Sequence, residues 1–350
     1  MTTFLVTGGA GFIGSNFVHR AVAAGHSVVN LDALSYAGNR DSLAGLDNHA
    51  HHTFVHGSIN DRALVMQQLS RHRPSVIVNF AAESHVDRSI DDPGVFIQTN
   101  VNGTYELLEA ALSYWRTLPP AARAEFRFLH ISTDEVYGSI AVGRFTEDSR
   151  YAPNSPYAAS KAAADHLVRS FNNTYGLPTL ITNCSNNYGP RQFPEKLIPH
   201  MILMALAGQP LPVYGDGMHV REWLHVDDHC NALLRVIEAG QSGATYNIGG
   251  HGEQPNIEVV RAICDALGRA APRKDSYRSL ISHVPDRPGH DRRYALDTSK
   301  LEHELGWRPA IAFETGLAQT IAWYLTNLAW CERIKSGGYR LARAGLGRAG

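Results

Sequence analysis

The sequence predicts an α/β protein, a Rossmann-type doubly wound parallel sheet with a smaller C-terminal substrate-binding α/β domain. Short β-like runs alternate with helical patterns through the first half. A glycine-rich turn joins the first run to the first helix. Beyond about Asn186 the texture changes to loops rich in Pro, Gly, His and Arg with shorter helices.

Residues 4–7 read as a strand, 12–24 as a helix and 27–32 as a second strand. Then come a strand at 53–56, a helix at 63–71 and a buried strand at 76–81. A helix near 99–115 precedes a strand at 126–132. Such a βαβα series argues for a parallel sheet covered by helices on both faces. Asn154 or Ser155 can cap the long helix at 157–175, with Pro156 in its first turn and Gly176 and Pro178 ending it. Residues 180–183 form the next strand, and helices follow at 197–207 and 257–267. The domains are expected at 1–185 (Rossmann) and 186–336 (mainly substrate-binding, with return segments to the sheet left open). Residues 337–350, rich in Gly and Arg, are expected to be a mobile tail.

The chain has 350 residues, 44% of them apolar and 19% charged, the composition of an ordinary globular protein with a sizeable core. Its net charge of −1 offers no global field for nucleic acid or an anionic membrane. Cys184, Cys230, Cys264 and Cys331 are far apart with no paired metal spacing, which fits a reducing compartment. No basic segment with a long apolar run opens the chain, and no apolar run is long enough to span a bilayer. A cytoplasmic location is expected.

Thr7-Gly8-Gly9-Ala10-Gly11-Phe12-Ile13-Gly14 lies where the first strand turns into the first helix. Gly8 permits the tight turn, Gly11 lets backbone approach a pyrophosphate, and Gly14 lets helix pack on strand. The helix N-terminus offers N–H groups and partial positive charge to phosphates. Asp32 ends the second strand, where a carboxylate accepts ribose hydroxyls and repels a 2′-phosphate. The cofactor implied is NAD. The glycines alone are equally a turn that packs helix on sheet with no ligand.

Tyr157 and Lys161, four residues apart at a helix start, share one face. A nearby ammonium lowers a phenol's pKa and makes it a usable base toward an alcohol. The same spacing also suits an exposed pair of no consequence. His130-Ile131-Ser132-Thr133-Asp134-Glu135-Val136-Tyr137-Gly138 sits at the C-terminal end of a strand, where open α/β sheets bind ligands. Adjacent carboxylates do acid and base work only if their surroundings push their pKa values apart. Otherwise they merely cap the next turn. His49-Ala50-His51-His52 and His225-Val226-Asp227-Asp228-His229 invite a metal reading, but neither has further ligands at the required spacing, and no metal is expected.

Taken together, these motifs resemble the dTDP-glucose 4,6-dehydratase family, an extended branch of the short-chain dehydrogenase/reductase superfamily. The match continues through Ala81-Ala82-Glu83-Ser84-His85-Val86-Asp87, Asn183-Cys184-Ser185-Asn186-Asn187-Tyr188-Gly189-Pro190, Phe193-Pro194-Glu195-Lys196-Leu197-Ile198-Pro199 and Asp286-Arg287-Pro288-Gly289-His290-Asp291. Asp134 next to Glu135 is its specific part, since related epimerases and decarboxylases usually lack that Asp. The resemblance implies C4 oxidation by Tyr157 with Lys161 and Thr133. Elimination of water across C5–C6 then uses Glu135 as base and protonated Asp134 as acid, and hydride returns to C6.

It further implies that Gly8, Gly11, Phe12, Ile13, Gly14, Asp32, Ala33, Leu34, Ser35, Ser58 and Ile59 hold the adenosine and diphosphate side of NAD. Phe80, Ala81, Ala82, Ser84, Thr99, Asn187, Tyr157 and Lys161 would line the nicotinamide side. Ser84, Thr133, Asn186, Lys196 and Leu197 would contact the hexose and phosphates, and Pro212, Val213 and Tyr214 would wall the nucleobase. Asn256 would approach the nucleotide, while Arg221 and Asp286, Arg287, Pro288, Gly289 and His290 would bind the diphosphate. The chain departs from the family in Ser58, where an Asp is usual, and in Arg191-Gln192, where an aromatic-His pair is usual. A homodimer through long helices of the first domain is expected. The alternatives are another NAD-dependent dehydratase, epimerase or decarboxylase acting on UDP- or GDP-sugars, and a non-catalytic NAD-binding sensor.

Overall fold

Apolar strands that can be buried on both faces need helices above and below them, and the computed structural model has that layering. It describes residues 1–286 and 291–336. The strands are β1 (Thr3–Thr7), β2 (Ser27–Asp32), β3 (His52–His56), β4 (Val76–Asn79), β5 (Arg127–Thr133), β6 (Thr179–Cys184), β7 (Asn186–Tyr188), β8 (Leu211–Tyr214), β9 (Val220–His225), β10 (Thr245–Ile248), β11 (Glu253–Pro255) and β12 (Ile281–Val284).

Seven of them form one parallel sheet in the order β10-β6-β5-β4-β1-β2-β3. The order reverses beside β1, the switch point at which such sheets bind ligands. Core packing covers both faces. Phe4, Val6, Phe17, Val78 and Leu129 belong to one buried cluster, and Leu5, Ile77, Leu107, Phe128 and Val168 to the other. The helix Val226–Ala239 and strand β10 come back to this sheet after the chain has left it, with Thr245 paired to Ile181. The rest of the second half forms its own core around Ile198, Ile202, Val213, Trp223, Val260 and Tyr324. It also holds the sheet β11-β9-β7 and the pair β12-β8.

Two expected elements differ. The strand beginning at Val76 stops at Asn79. Phe80 keeps one more bond, its N–H to the Thr7 carbonyl, before the chain turns away along the glycine loop. The helix expected from residue 99 opens instead with a wider π-helical stretch, Ile97–Gly103, and becomes regular only over Thr104–Thr117. Asn100 explains the widening in part, because its buried side chain accepts from Glu83 N and donates to Glu83 O and Ser160 Oγ. π-Turns of this kind gather at functional sites, and Thr99 on this one faces a cavity. No described helix is long and apolar enough to cross a membrane.

Candidate active site

A cavity of about 320 Å³ opens where the sheet strands end, walled by the segments that follow β1, β2, β3, β4, β5, β6 and β7. At one end lies the glycine turn. Gly8 has φ 70°, and a Cβ there would stand 2.6 Å from Ala81 N. A Cβ on Gly14 would collide with the Gly8 carbonyl, whereas one on Gly11 would meet only that oxygen, at 3.3 Å. Hence the turn is closed by packing at Gly8 and Gly14 and open at Gly11. No side chain caps the helix Phe12–Ala23 that starts there, which leaves its first turn suited to an anion.

Asp32 fastens this turn, accepting from Ala10 N at 2.8 Å and from Leu34 N at 2.7 Å. Burial pushes its carboxyl pKa up against those two bonds. Gly8, Gly11, Phe12, Ile13, Gly14, Asp32, Ala33, Ser35, Ser58 and Ile59 line this end of the cavity. Leu34 does not. It has φ 50° and turns its side chain toward the core, so only its backbone serves the turn. Ser58 Oγ accepts from Asn60 N at 3.1 Å, an Asx-like turn made without the usual acid. The open cradle at Gly11 and the buried acid beside it fit a dinucleotide. Phe80, Ala81, Ala82, Ser84, Thr99 and Asn187 continue the wall toward Tyr157 and Lys161.

Tyr157 and Lys161 stand on the first turns of the helix Pro156–Tyr175. Ser155 is its cap, accepting from Ala158 N at 3.1 Å, with Pro156 next. Asp165 continues the same face one turn further, and the three side chains point into one buried network. Lys161 Nζ donates to the Ile131 carbonyl at 2.7 Å and lies 3.3 Å from His130 Nε2. Asp165 accepts from Ser132 Oγ at 2.8 Å and from the Tyr151 phenol at 2.9 Å. Burial lowers the Lys161 pKa, with the Asp165 carboxylate opposing it, and holds His130 neutral.

The expected effect of Lys161 on Tyr157 is not what the structure shows. Burial, then the Glu135 carboxylate, pushes the pKa of this half-buried, cavity-lining phenol well above the ordinary value. The ammonium is engaged below it, at Ile131 and His130. Thr133 sits between the reacting groups. Its hydroxyl donates to Asp134 Oδ1 at 3.3 Å and accepts from Glu135 N at 3.3 Å, and it shares the cavity wall with the Tyr157 phenol.

Asp134 is buried and Glu135 half-buried. Burial, then the charges of Glu135 and Glu222, drive the Asp134 pKa well up, against the pull of Arg221. Thus Asp134 is the member of the pair held as an acid. Cys184, also on the wall, is a neutral thiol pushed up to about 12 by burial.

Of the residues expected on the substrate side, Ser84, Thr133, Asn186 and Lys196 reach the cavity. Lys196 Nζ donates to the Ser84 carbonyl at 3.0 Å. Leu197 starts the helix Leu197–Leu206 and packs on the second core. Pro212, Val213 and Tyr214 lie on β8, away from the cavity lining, and Val213 belongs to that same core. Arg221, buried on β9, donates to the Val220 and Asp291 carbonyls at 2.8 and 2.9 Å and lies over the Tyr294 ring. Asn256 opens the helix Asn256–Ala270 with its buried Oδ1 unpaired among the described residues. Asp286 Oδ2 is 3.3 Å from His219 Nε2. Arg287, Pro288, Gly289, His290 and the segment 337–350 lie outside the described residues.

Glu83, within the run 80–84 expected at the nicotinamide side, lines the cavity, as do Tyr36, Gln192 and Glu195, to which no motif reading gives a role. Asp165 was missed as well, and its position four residues after Lys161 was the available signal. The histidine clusters serve local structure. His225 accepts from Asp227 N to cap the helix Val226–Ala239, His229 Nδ1 lies 2.8 Å from Asn187 Oδ1, and His52 Nδ1 lies 3.0 Å from the Leu46 carbonyl.

Residues 5–320 match the model of the GDP-mannose 4,6 dehydratase family. A dTDP-glucose 4,6-dehydratase of Xanthomonas campestris pv. campestris (strain B100) is 62% identical over 348 residues, which is 99% of each chain. The chain belongs to the dTDP-glucose 4,6-dehydratase family. Within that family, the enzyme DesIV of Streptomyces venezuelae, solved with NAD bound, superposes with a TM-score of 0.88 at 48% identity. That alignment covers 95% of this chain and 100% of DesIV. A UDP-glucose 4-epimerase of Thermotoga maritima shares the fold at a TM-score of 0.83 but only 29% identity, over 93% of this chain and 99% of the epimerase.

Proposed function

We propose that this chain is an NAD-dependent dTDP-glucose 4,6-dehydratase, converting dTDP-glucose to dTDP-4-keto-6-deoxyglucose. The observation that carries this reading is the pairing of Asp134 and Glu135 at the end of β5, on one cavity wall with Thr133 and Tyr157. Epimerisation at C4 needs one base, whereas elimination needs a base and an acid together.

Gly8, Gly11, Gly14 and Asp32 would hold the dinucleotide, with Thr99, Tyr157 and Lys161 at its reactive end. When bound, NAD⁺ supplies a hydride acceptor for C4, a hydride donor for C6 and a positive charge that favours the Tyr157 phenolate. Tyr157 takes the C4 hydroxyl proton, and the resulting ketone acidifies the C5–H. Glu135 takes that proton while Asp134 gives its own to the C6 hydroxyl, which leaves as water. Glu135 then returns a proton to C5. One proton remains on Tyr157 and one is missing from Asp134, and Thr133, bonded to Asp134 and lining the cavity with Tyr157, is the path that restores them.

Lys161 orients the phenol and ribose side, and Ser84, Asn186 and Lys196 contact the hexose and phosphates. Pro212, Val213, Tyr214, Arg221, Asn256 and residues 286–290 bind the remainder of the nucleotide, as the family resemblance implies. Residues 1–185 act as the cofactor domain and 186–336 mainly as the substrate domain. The protein works as a homodimer, a reading supported by exposed Ile90, Val95, Ile97 and Tyr105 on neighbouring helices and Tyr175 at the end of the long one. Four buried free thiols support a cytoplasmic location.

Purified protein should convert dTDP-glucose to a product with the 4-ketone's alkaline chromophore, much faster than UDP- or GDP-glucose. Equal rates on all three would overturn the nucleotide assignment. Interconversion of C4 epimers without water loss would overturn the dehydratase.

A further inference from the structure

Three loops that wall the cavity come from distant parts of the chain, after β2, β4 and β7, and one buried carboxylate joins them. Glu195 Oε1 accepts from the Tyr36 phenol, and Glu195 Oε2 lies 3.5 Å from His85 Nε2. Its neighbour Lys196 bonds the Ser84 carbonyl at 3.0 Å. The Arg88 guanidinium stands 3.7 Å over the Tyr36 ring, and Phe193 packs edge-on against that ring at 5.5 Å. The Glu195 side chain is 4% exposed.

Burying a carboxylate is costly unless partners offset it, and ordering loops costs chain entropy. Phe193 and Tyr36 border the second core, but His85, Arg88, Glu195 and Lys196 sit on loops or a short helix at the cavity mouth. We propose that Glu195 is a positioning residue, which with Tyr36 clasps these loops over the cavity and slows the release of the nicotinamide dinucleotide. The inference rests on the proposed function. A dehydratase leaves its cofactor in the starting oxidation state, so no step requires its exit. Losing it between oxidation at C4 and reduction at C6 would strand the ketone.

The test uses holoenzyme loaded with NAD. Release is followed by capturing free NAD with an excess of an unrelated dehydrogenase and its own substrate. Tyr36→Phe deletes the donor while keeping the ring under Arg88, and Glu195→Gln removes the charge. Losing a hydrogen bond to a charged group should speed release about tenfold or more in Tyr36→Phe, with a smaller effect in Glu195→Gln. During turnover both should shed free reduced cofactor, a leak that a merely loosened fold would not produce while the thermal midpoint stays at the wild-type value.

The double variant should match the faster single, because both break one bond. Wild-type release rates in both singles, or fully additive rates in the double, overturn the clasp. Release is read without turnover, so failure to dehydrate dTDP-glucose would refute the proposed function and leave the clasp to be judged on its own rates.

Discussion

The Thr133 hydroxyl donates to Asp134 Oδ1 at 3.3 Å on the cavity wall that also carries the Tyr157 phenol, so one small side chain stands between the group that takes a proton and the group that gives one. Thr133→Val should remove that hydroxyl. Turnover should fall about 10²-fold or more, as for other lost proton-transfer partners, while Thr133→Ser restores most of it. A valine variant at wild-type rate would show that the threonine oxygen is not on the proton path.

Asp134→Asn keeps the shape and deletes the acid. Elimination should slow by about 10²- to 10⁴-fold, while oxidation at C4 persists. Reduced nicotinamide would therefore build up in a single turnover, visible by its absorbance before any keto-deoxy product appears. The acid form is required, and burial raises the Asp134 pKa. Wild-type elimination should decline as pH rises through that elevated value. A rate that climbs with pH throughout would contradict the role.

Asp165 lies beneath Lys161, with no surface exposure, among Ser132, Tyr151 and His130. Asp165→Ala leaves the Lys161 charge buried and should cost about 3–5 kcal/mol of stability. Asp165→Asn, which still accepts both hydrogen bonds, should cost less. Denaturant midpoints at unchanged slope are the measurement. Equal losses in the two variants would mean that the lost charge alone, not packing or the two hydrogen bonds, decides this site.

Gly14→Ala and Gly11→Ala should separate packing from cofactor binding. The Gly14 Cβ would strike the Gly8 carbonyl, and overpacking of this kind costs about 1–3 kcal/mol. The Gly11 Cβ meets that oxygen only at 3.3 Å, so Gly11→Ala should fold nearly normally and still lose NAD affinity. Thermal unfolding with NAD titration distinguishes the two.

His229 gives the fold an acid limit. Burial lowers its pKa to about 3, below the ordinary 6.5. The folded state thus keeps it neutral while the unfolded chain binds a proton below 6.5. Its contribution is complete above that pH and is lost as pH falls from 6.5 toward about 3, at about 1.4 kcal/mol per pH unit. His229→Asn should flatten the stability profile over that window. An unchanged slope would place the acid sensitivity elsewhere, with His130 the next candidate.

Local chemistry by itself determined a large share of this protein. The periodicity of residues 4–32, the glycine turn with Asp32, and the cap, proline and αL glycine around the helix Pro156–Tyr175 all follow from short-range rules, and the structure keeps them. Spacing alone also placed Tyr157 and Lys161 on one face. Long-range packing decided the rest. Whether the chain returned to the sheet through β10 depended on which edge β6 left open. The π-turn at Thr99 depended on Asn100 reaching Glu83 and Ser160. The direction of the Tyr157 pKa shift depended on burial and on Glu135, and Lys161 gives its ammonium to Ile131 and His130. Sequence spacing sets what shares a face. Only the folded chain sets which distant groups share a cavity and how much water is left between them, and those two quantities govern charge.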